Sequence, residues 1–288
     1  MSGNDSSELL IEEASLITTD KKNEPLVSVM IPVYNPSMHL GEALQSVLAQ
    51  DLGRESMQIA VVDDASQQVD VAALLNKIAP PGRIELYRNQ RNLGLAGNWN
   101  ECVRLARGCV VHILHQDDWI ADGFYRRMLP AFERYNDVGM AFCRHAYADS
   151  EGRIVYRTHR ERWFPGRLAG WLEKIAIKQR IQCASVLVRR SVYEQLGAYR
   201  SDLIYALDWE MWVRIAAHYS VWFEPTLMAF YRRHAQNETS RLAAQGKVAA
   251  DEENAIRIFS QCLPLSNRDK LTAMALARLH RKAEKRRS

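Results

Sequence analysis

Short apolar runs rich in β-branched residues alternate with helical patterns through the first 115 residues, and this alternation constrains the fold more than any other feature. Val27 to Val33 reads as a buried strand, with Asn35-Pro36-Ser37 as the turn that follows. Leu40, Ala43, Leu44, Val47 and Leu48 then share one face of a helix. Ile59 to Val62 repeats the strand signature and stops at Asp63-Asp64-Ala65-Ser66. Val71, Leu74, Leu75 and Ile78 mark a second helix, which Pro80-Pro81-Gly82 ends. Ile84 to Tyr87 is a third strand, and Trp99, Cys102, Val103 and Ala106 give a third helix closed by Gly108. Cys109 to Leu114 is a fourth strand running directly into His115-Gln116-Asp117-Asp118. Strand–helix alternation predicts an α/β fold: βαβ units with right-handed crossovers and a mainly parallel sheet flanked by helices. Such sheets bind ligands beyond the carboxyl ends of their strands. Tyr34-Asn35, Asp63-Asp64 and Asp117-Asp118 all fall at those ends, so the architecture would gather them.

After about residue 136 the alternation weakens. Gly139 to Ala148, with a turn over Asp149 to Gly152, predicts a strand leading into a hairpin. Gln182 to Val188 predicts a strand followed by a short helix that Gly197 caps, and Leu227 to Tyr231 a strand edge. From Leu242 the pattern is helical and polar. The expected organisation is a flexible leader over 1–25, a catalytic domain over 26–242 and a helical, basic C-terminal extension over 243–288. Within the domain the pattern divides into 26–136 and 137–242. Arg278 to Arg287 holds six cations against the single Glu284, and without it the chain, at +4 overall, is close to neutral, so there is no body-wide footprint for nucleic acid. Five cysteines without a C-x-x-C pair argue against a disulfide framework or zinc site and suit a reducing cytosol. No run of about 18 apolar residues occurs, so the expectation is a cytoplasmic protein, soluble or peripheral at the inner face of a membrane.

Two adjacent carboxylates, Asp117-Asp118, at a strand end repel each other unless a cation sits beside them. One Asp would suffice as a helix cap, and hard divalent cations share carboxylate oxygens with substrate phosphates. Asp63-Asp64-Ala65-Ser66 alone fits a turn, but its place at a strand end also suits Asp63 to a base or ribose hydrogen bond. Leu207-Asp208-Trp209-Glu210-Met211-Trp212 sets two acids among large apolar groups, either as a helix start or as a general base with a raised pKa. Tyr231-Arg232-Arg233-His234 offers guanidinium forks for a diphosphate and an imidazole for a metal. Gly94 and Gly97 form no phosphate-cradling loop, which disfavours kinases and dehydrogenases.

Taken in order, these segments resemble the motifs of family-2 glycosyltransferases with the GT-A fold, the Rossmann-like fold of nucleotide-diphospho-sugar transferases. Val27 to Asn35 is similar to the family's opening strand and Val61 to Ser66 to its second nucleotide-binding motif. Asn92-Leu93-Gly94 with Asn98-Trp99-Asn100 resembles the third, and His115 to Asp118 the D-x-D element without its first acid. Leu207 to Trp212 resembles the base motif, with Leu207 in place of a frequent acid, and Tyr231 to Ser240 the segment closing the donor site. The resemblance implies a mixed, mainly parallel sheet and a donor site of Pro32, Tyr34, Asn35, Asp63, Arg91, Asn98, Asp117, Arg232 and Arg233. In it Asp63 reads the base with Arg91 near, and Asp117 contacts the ribose or bridges to the metal. It also implies Asp118 as the direct ligand of Mn²⁺ or Mg²⁺ with His234 as a second, and Asp208 rather than Glu210 as catalytic base. The activity implied is inverting transfer from a nucleotide-diphosphate sugar, UDP-linked above all, to a hydroxyl of a saccharide or lipid-linked saccharide, in polysaccharide or glycolipid biosynthesis. Two rivals stand beside it. A sugar nucleotidyltransferase would carry a Gly-, Arg- and Lys-bearing loop where Asn35 to His39 stands, and a non-catalytic nucleotide-sugar-binding scaffold would not need Asp118 and Asp208. Acceptor choice is expected within 139–205, with Trp163, Trp171 and Tyr199 as aromatic candidates. Leu271, Met274, Ala275 and Leu279 gather on one side of the basic C-terminal helix, which rests either on an anionic membrane or on the domain.

Overall fold

A computed structural model describes residues 24–287 except 236; the expected leader lies outside the described residues apart from its last two positions. The first half alternates as the sequence predicts: β1 (Val27–Val33), α1 (Leu40–Leu48), β2 (Met57–Asp63), α2 (Val71–Ile78), β3 (Glu85–Arg88), α3 (Gly94–Leu105) and β4 (Val110–Ile113). Then come β5 (Trp119–Ile120), α4 (Phe124–Met128), α5 (Pro130–Arg134), β6 (Val138–Ala148), β7 (Ile154–Arg157) and β8 (Gly166–Arg167). They are followed by α6 (Trp171–Ile177), β9 (Val186–Arg189), α7 (Arg190–Leu196), α8 (Leu207–His218) and β10 (Ser220–Arg232). The chain closes with α9 (Glu238–Ala244), α10 (Val248–Phe259) and α11 (Arg268–Arg287).

These strands form one mixed sheet in the order β3-β2-β1-β4-β9-β6-β10-β5, with β7 on β6 and β8 on β10. The β3-β2-β1-β4 half is parallel throughout. Beyond it β9 runs antiparallel to both β4 and β6, while β6 and β10 pair in parallel. Every residue of β1 is buried, because helices cover both faces and successive side chains point to opposite sides. Val27, Val29, Ile31 and Val33 join Leu44 and Phe124 in one core. Met30 joins the other, with Trp99, Trp212 and Phe259. From β1 the chain leaves toward β2 and β3, then returns to β4 on the opposite side, so a crevice opens beyond the end of β1.

The C-terminal helices belong to that second core. Leu271, Ala275 and Leu279 lie one turn apart along α11 and are buried with Phe259 and Trp209, and Lys282 Nζ pairs with Glu252 Oε1 at 2.8 Å. The apolar positions of that helix pack on the domain, with Met274 outside at 43% exposure. No helix among the described residues is long and apolar enough to cross a membrane.

Candidate active site

The ends of β1 and β2 are tied together by short-range polar contacts. Asn35 takes a left-handed backbone (φ 44°), donates its N–H to Ser66 Oγ at 2.8 Å, and accepts from the N–H groups of Gln67 and Gln68 through Oδ1. Ala65 is also left-handed (φ 60°). Such conformations cost of order 1–3 kcal/mol for a non-glycine residue, and they persist where the surroundings impose them. Asp63 is fully buried; Oδ1 accepts from the Ser66 N–H at 3.0 Å and Oδ2 pairs with Arg88. Asp64 accepts from the N–H groups of Leu93 and Gly94 at the start of α3 and from Asn89 Nδ2. Gly94 has φ 74°, a conformation that glycine adopts freely.

Two expected donor contacts land elsewhere. The cation on Asp63 is Arg88; Arg91 is exposed in the turn before α3. Asn98 is buried, with Nδ2 donating to the Val62 carbonyl and Oδ1 accepting from Asn89, so its amide orders the β2–α3 junction. Sequence reading missed Arg88, although the signal lies in the parallel register of β2 and β3, which sets Asp63 opposite Arg88. Pro32 is buried within β1, whereas the Tyr34 ring is 47% exposed over the crevice end of that strand.

Beyond β4 the two acidic side chains part. Asp117 accepts from Ser37 Oγ at 2.6 Å through Oδ1, and its Oδ2 stands 3.3 Å from His234 Nε2. Asp118 is 1% exposed; Oδ1 accepts from the Arg232 N–H at 3.0 Å, while Oδ2 makes no hydrogen bond and has His115 Nδ1 3.4 Å away. Burial pushes the Asp118 carboxyl above its ordinary pKa, against the pull of His115. Arg232 departs from the diphosphate role expected of it. Its guanidinium is buried, stacks on Trp119 at 4.5 Å, donates to the Asp117 and Ser150 carbonyls, and pairs with Glu42. Its donors are occupied in fixing the Asp117-Asp118 turn, and the neighbouring Arg233 is the exposed cation.

The buried Asp118 Oδ2 makes no hydrogen bond and faces His115, while His234 Nε2 faces the adjacent Asp117, so carboxylate and imidazole groups of the kind a hard cation takes lie on both sides of this turn. Among the described residues no three His, Cys, Asp or Glu side chains converge as a complete cage. The remaining coordination would therefore fall to substrate oxygens and water.

The third component is the first turn of α8. Asp208 is half-buried; Oδ1 accepts from the Trp209 N–H and Oδ2 from Gln179 Nε2 at 3.0 Å. Burial lifts its carboxyl to about 7, against those hydrogen bonds. Gln179 is held in one orientation, since its Oε1 accepts from the N–H groups of Arg180 and Ile181. Glu210 is directed elsewhere: fully buried, it forms a two-armed pair with Arg214 at 2.9 and 2.8 Å. Arg214 in turn donates to the carbonyls of Leu196, Gly197 and Ala198. His115 lies near enough to Asp118 and Asp208 for its charge to act on both. Tyr147, packed on Tyr231 at 5.6 Å, feels Asp208 and Arg233 in the same way. Of the expected acceptor aromatics, Trp171 and Tyr199 are core residues, and Trp163 is 76% exposed.

Comparison with known proteins gives a family and a fold. Residues 28–197 match the family described as Glycosyl transferase family 2. An uncharacterized protein of Mycobacterium tuberculosis is 30% identical over 277 residues, covering 92% of this chain and 84% of that protein. An uncharacterized glycosyltransferase of Methanocaldococcus jannaschii is 25% identical over 198 residues, covering 68% of this chain and 66% of its own length. Among solved structures, S. aureus TarS 1-349 in complex with UDP-GlcNAc superposes with a TM-score of 0.68 at 16% identity, covering 87% of this chain and 71% of that one. Mannosyltransferase PcManGT from Pyrobaculum calidifontis, in complex with GDP-Man and Mn²⁺, gives 0.64 at 20% identity, over 90% of this chain and 71% of that one. At such identities the structural likeness concerns the fold.

Proposed function

The chain belongs to glycosyl transferase family 2, and from that premise we propose that it transfers a sugar, with inversion, from a nucleotide diphosphate to a hydroxyl of a saccharide or lipid-linked acceptor. The observation that carries the reading is a chain of contacts beyond the strand ends: Asn35 and Asp63 share Ser66, Asp117 accepts from Ser37, and His115 stands by Asp118 and acts on the raised carboxyl of Asp208. Asp63, ordered by Arg88 and Ser66, lies where the base and ribose of a nucleotide would sit, with UDP the first choice. Asp118 and His234 would hold Mn²⁺ or Mg²⁺, with Asp117 between them and the ribose. Bound there, the cation would supply Lewis-acid relief of the charge that builds on the diphosphate. Arg233 would add an exposed positive charge on the same side.

Asp208 faces the acceptor. As its carboxylate takes the proton from the acceptor hydroxyl, that oxygen bonds to the anomeric carbon, and the bond from this carbon to the diphosphate oxygen breaks with the electron pair leaving on the nucleotide. Attack opposite the leaving group inverts the centre and needs no covalent enzyme intermediate. General-base help of this kind is typically worth about 10²- to 10⁴-fold. Thermal melting with UDP, other nucleoside diphosphates and UDP-sugars, in Mn²⁺ and in chelator, tests the donor half. The expected result is stabilisation of about 2.7 kcal/mol at a hundred times Kd, with the metal-dependent part lost in Asp118→Asn. Equal shifts in Mn²⁺ and in chelator would remove the metal from the proposal.

A further inference from the structure

The segment between β7 and β8 carries the most exposed aromatic pair described in this chain. Trp163 is 76% and Phe164 74% exposed, and on the preceding β7 Val155 and Tyr156 are 61% and 49% exposed. The described contact of the Trp163 ring is with another exposed group, the Arg160 guanidinium at 5.3 Å. Positive charge is concentrated around them. Residues 144–180 hold nine Lys and Arg against four Asp and Glu, while the whole chain holds 38 against 34. The fold crowds these cations further: Arg144 lies near Arg157 and Arg160, and Lys178 near Arg278, Arg180 and Lys282 where α6 meets α11.

We propose that this face docks on an anionic lipid surface, with Trp163 and Phe164 entering the headgroup boundary and the cations of the 157–160 stretch, α6 and α11 meeting the headgroups. Adjacent exposed aromatics within a basic rim match the two contributions that hold a protein at such an interface, apolar burial and charge attraction. A lipid surface meets both features at once, the rings by burial and the cations by charge. The apolar positions of α11 are buried in the domain, so that helix offers the lipid its cations alone.

The docking segment also leads to the active site. Its Glu161 pairs with Arg180 at 2.7 Å and approaches Lys174 at 3.9 Å, and the adjacent Gln179 holds Asp208. Docking would therefore set the acceptor side of the crevice against the bilayer, where a lipid-linked hydroxyl lies; this last step rests on the glycosyl-transfer reading.

The test is co-sedimentation of the full chain, without donor or acceptor, with vesicles of phosphatidylglycerol and phosphatidylcholine and with phosphatidylcholine alone. Binding is expected to the anionic vesicles only, weakening as salt shortens the Debye length. Trp163→Ser/Phe164→Ser should partition about tenfold less or weaker still, from the apolar area withdrawn, and should melt at the wild-type temperature because both rings are exposed. Arg157→Gln/Arg160→Gln should weaken binding to anionic vesicles. Absence of binding to anionic vesicles would overturn the proposal. So would wild-type partition by the aromatic variant, or capture by a soluble polyanion with none by vesicles. Asp118→Asn should sediment like wild type, so a failure of the transfer reading leaves the docking result standing, and a sedimentation failure beside intact sugar transfer sinks docking alone.

Discussion

Two acidic residues two positions apart on one helix show how far a side chain's role depends on what it faces. Both Asp208 and Glu210 are legible in the sequence as acids among aromatics, and the family pattern favours the first. What the sequence does not contain is the partner of each. Glu210 is matched by Arg214 one turn along, within the core, whereas Asp208 has neutral donors and a pKa lifted to about 7 by burial. Transfer should therefore lose activity on the acid side as Asp208 protonates below about 7, and Asp208→Asn should lower kcat by about 10²-fold or more with donor affinity little changed. The same shift has a consequence for stability. Between its ordinary value of 3.8 and about 7, the folded protein keeps a proton that the unfolded chain has released, so this group's contribution falls as pH rises through that window. Asp208→Asn, permanently neutral, should melt above wild type at pH 8 while being nearly inactive. Glu210→Gln should do the reverse, losing on the order of 3–5 kcal/mol of stability because Arg214 is left buried without its charge partner, with kcat per folded molecule nearly kept. Calorimetric melts and kcat for both variants decide the assignment, and an inactive Glu210→Gln that melts normally would exchange the roles.

At the scale of elements, the parallel half was readable because each of its strands is a continuous apolar run bounded by turns, which is what burial on both faces requires. The later strands were harder to read. β10 extends over Ser220–Arg232, well beyond the Leu227 to Tyr231 edge expected, because its burial alternates and Pro225 interrupts the pattern. β5 is two residues long and is defined by its pairing with β10. That pairing matters to the site, since β10 delivers Arg232 to the Asp117-Asp118 turn from 114 positions away. Sequence reading assigned Arg232 and Arg233 alike to the diphosphate, but burial separates them. Arg232→Lys, which cannot make the same set of contacts, should lower the melting temperature and weaken the Mn²⁺-dependent part of nucleotide binding together. Arg233→Ala should melt as wild type and bind UDP more weakly in isothermal titration. A stable Arg232→Lys that binds UDP and Mn²⁺ normally would mean that the turn holds its shape without the guanidinium.

Taken whole, the molecule has two cores divided by one sheet, and its C-terminal helices complete the core that also holds α8. A composition shift at about residue 242 suggests an appendage; the packing describes a wall, with Phe259 of α10 against Trp209 at 5.2 Å and α11 across α6. The first turn of α8 carries Asp208, so the position of the proposed base is coupled to helices far outside the motifs. The distinction between wall and appendage can be measured in lipid-free buffer. Leu271 is 4% exposed on α11; Leu271→Ala should cost about 2–5 kcal/mol, as removal of a buried leucine usually does. For a chain of this size that is a drop in melting temperature of roughly 5–15 °C. Met274, on the same helix but 43% exposed, should lose less than about 0.5 kcal/mol on substitution by alanine. If α11 instead served a membrane through its apolar positions, neither substitution would move the lipid-free melt, and both would weaken vesicle binding. A large drop for Leu271→Ala together with unchanged vesicle partition of the folded fraction separates the two roles, and assigns the apolar side of α11 to the support of α8.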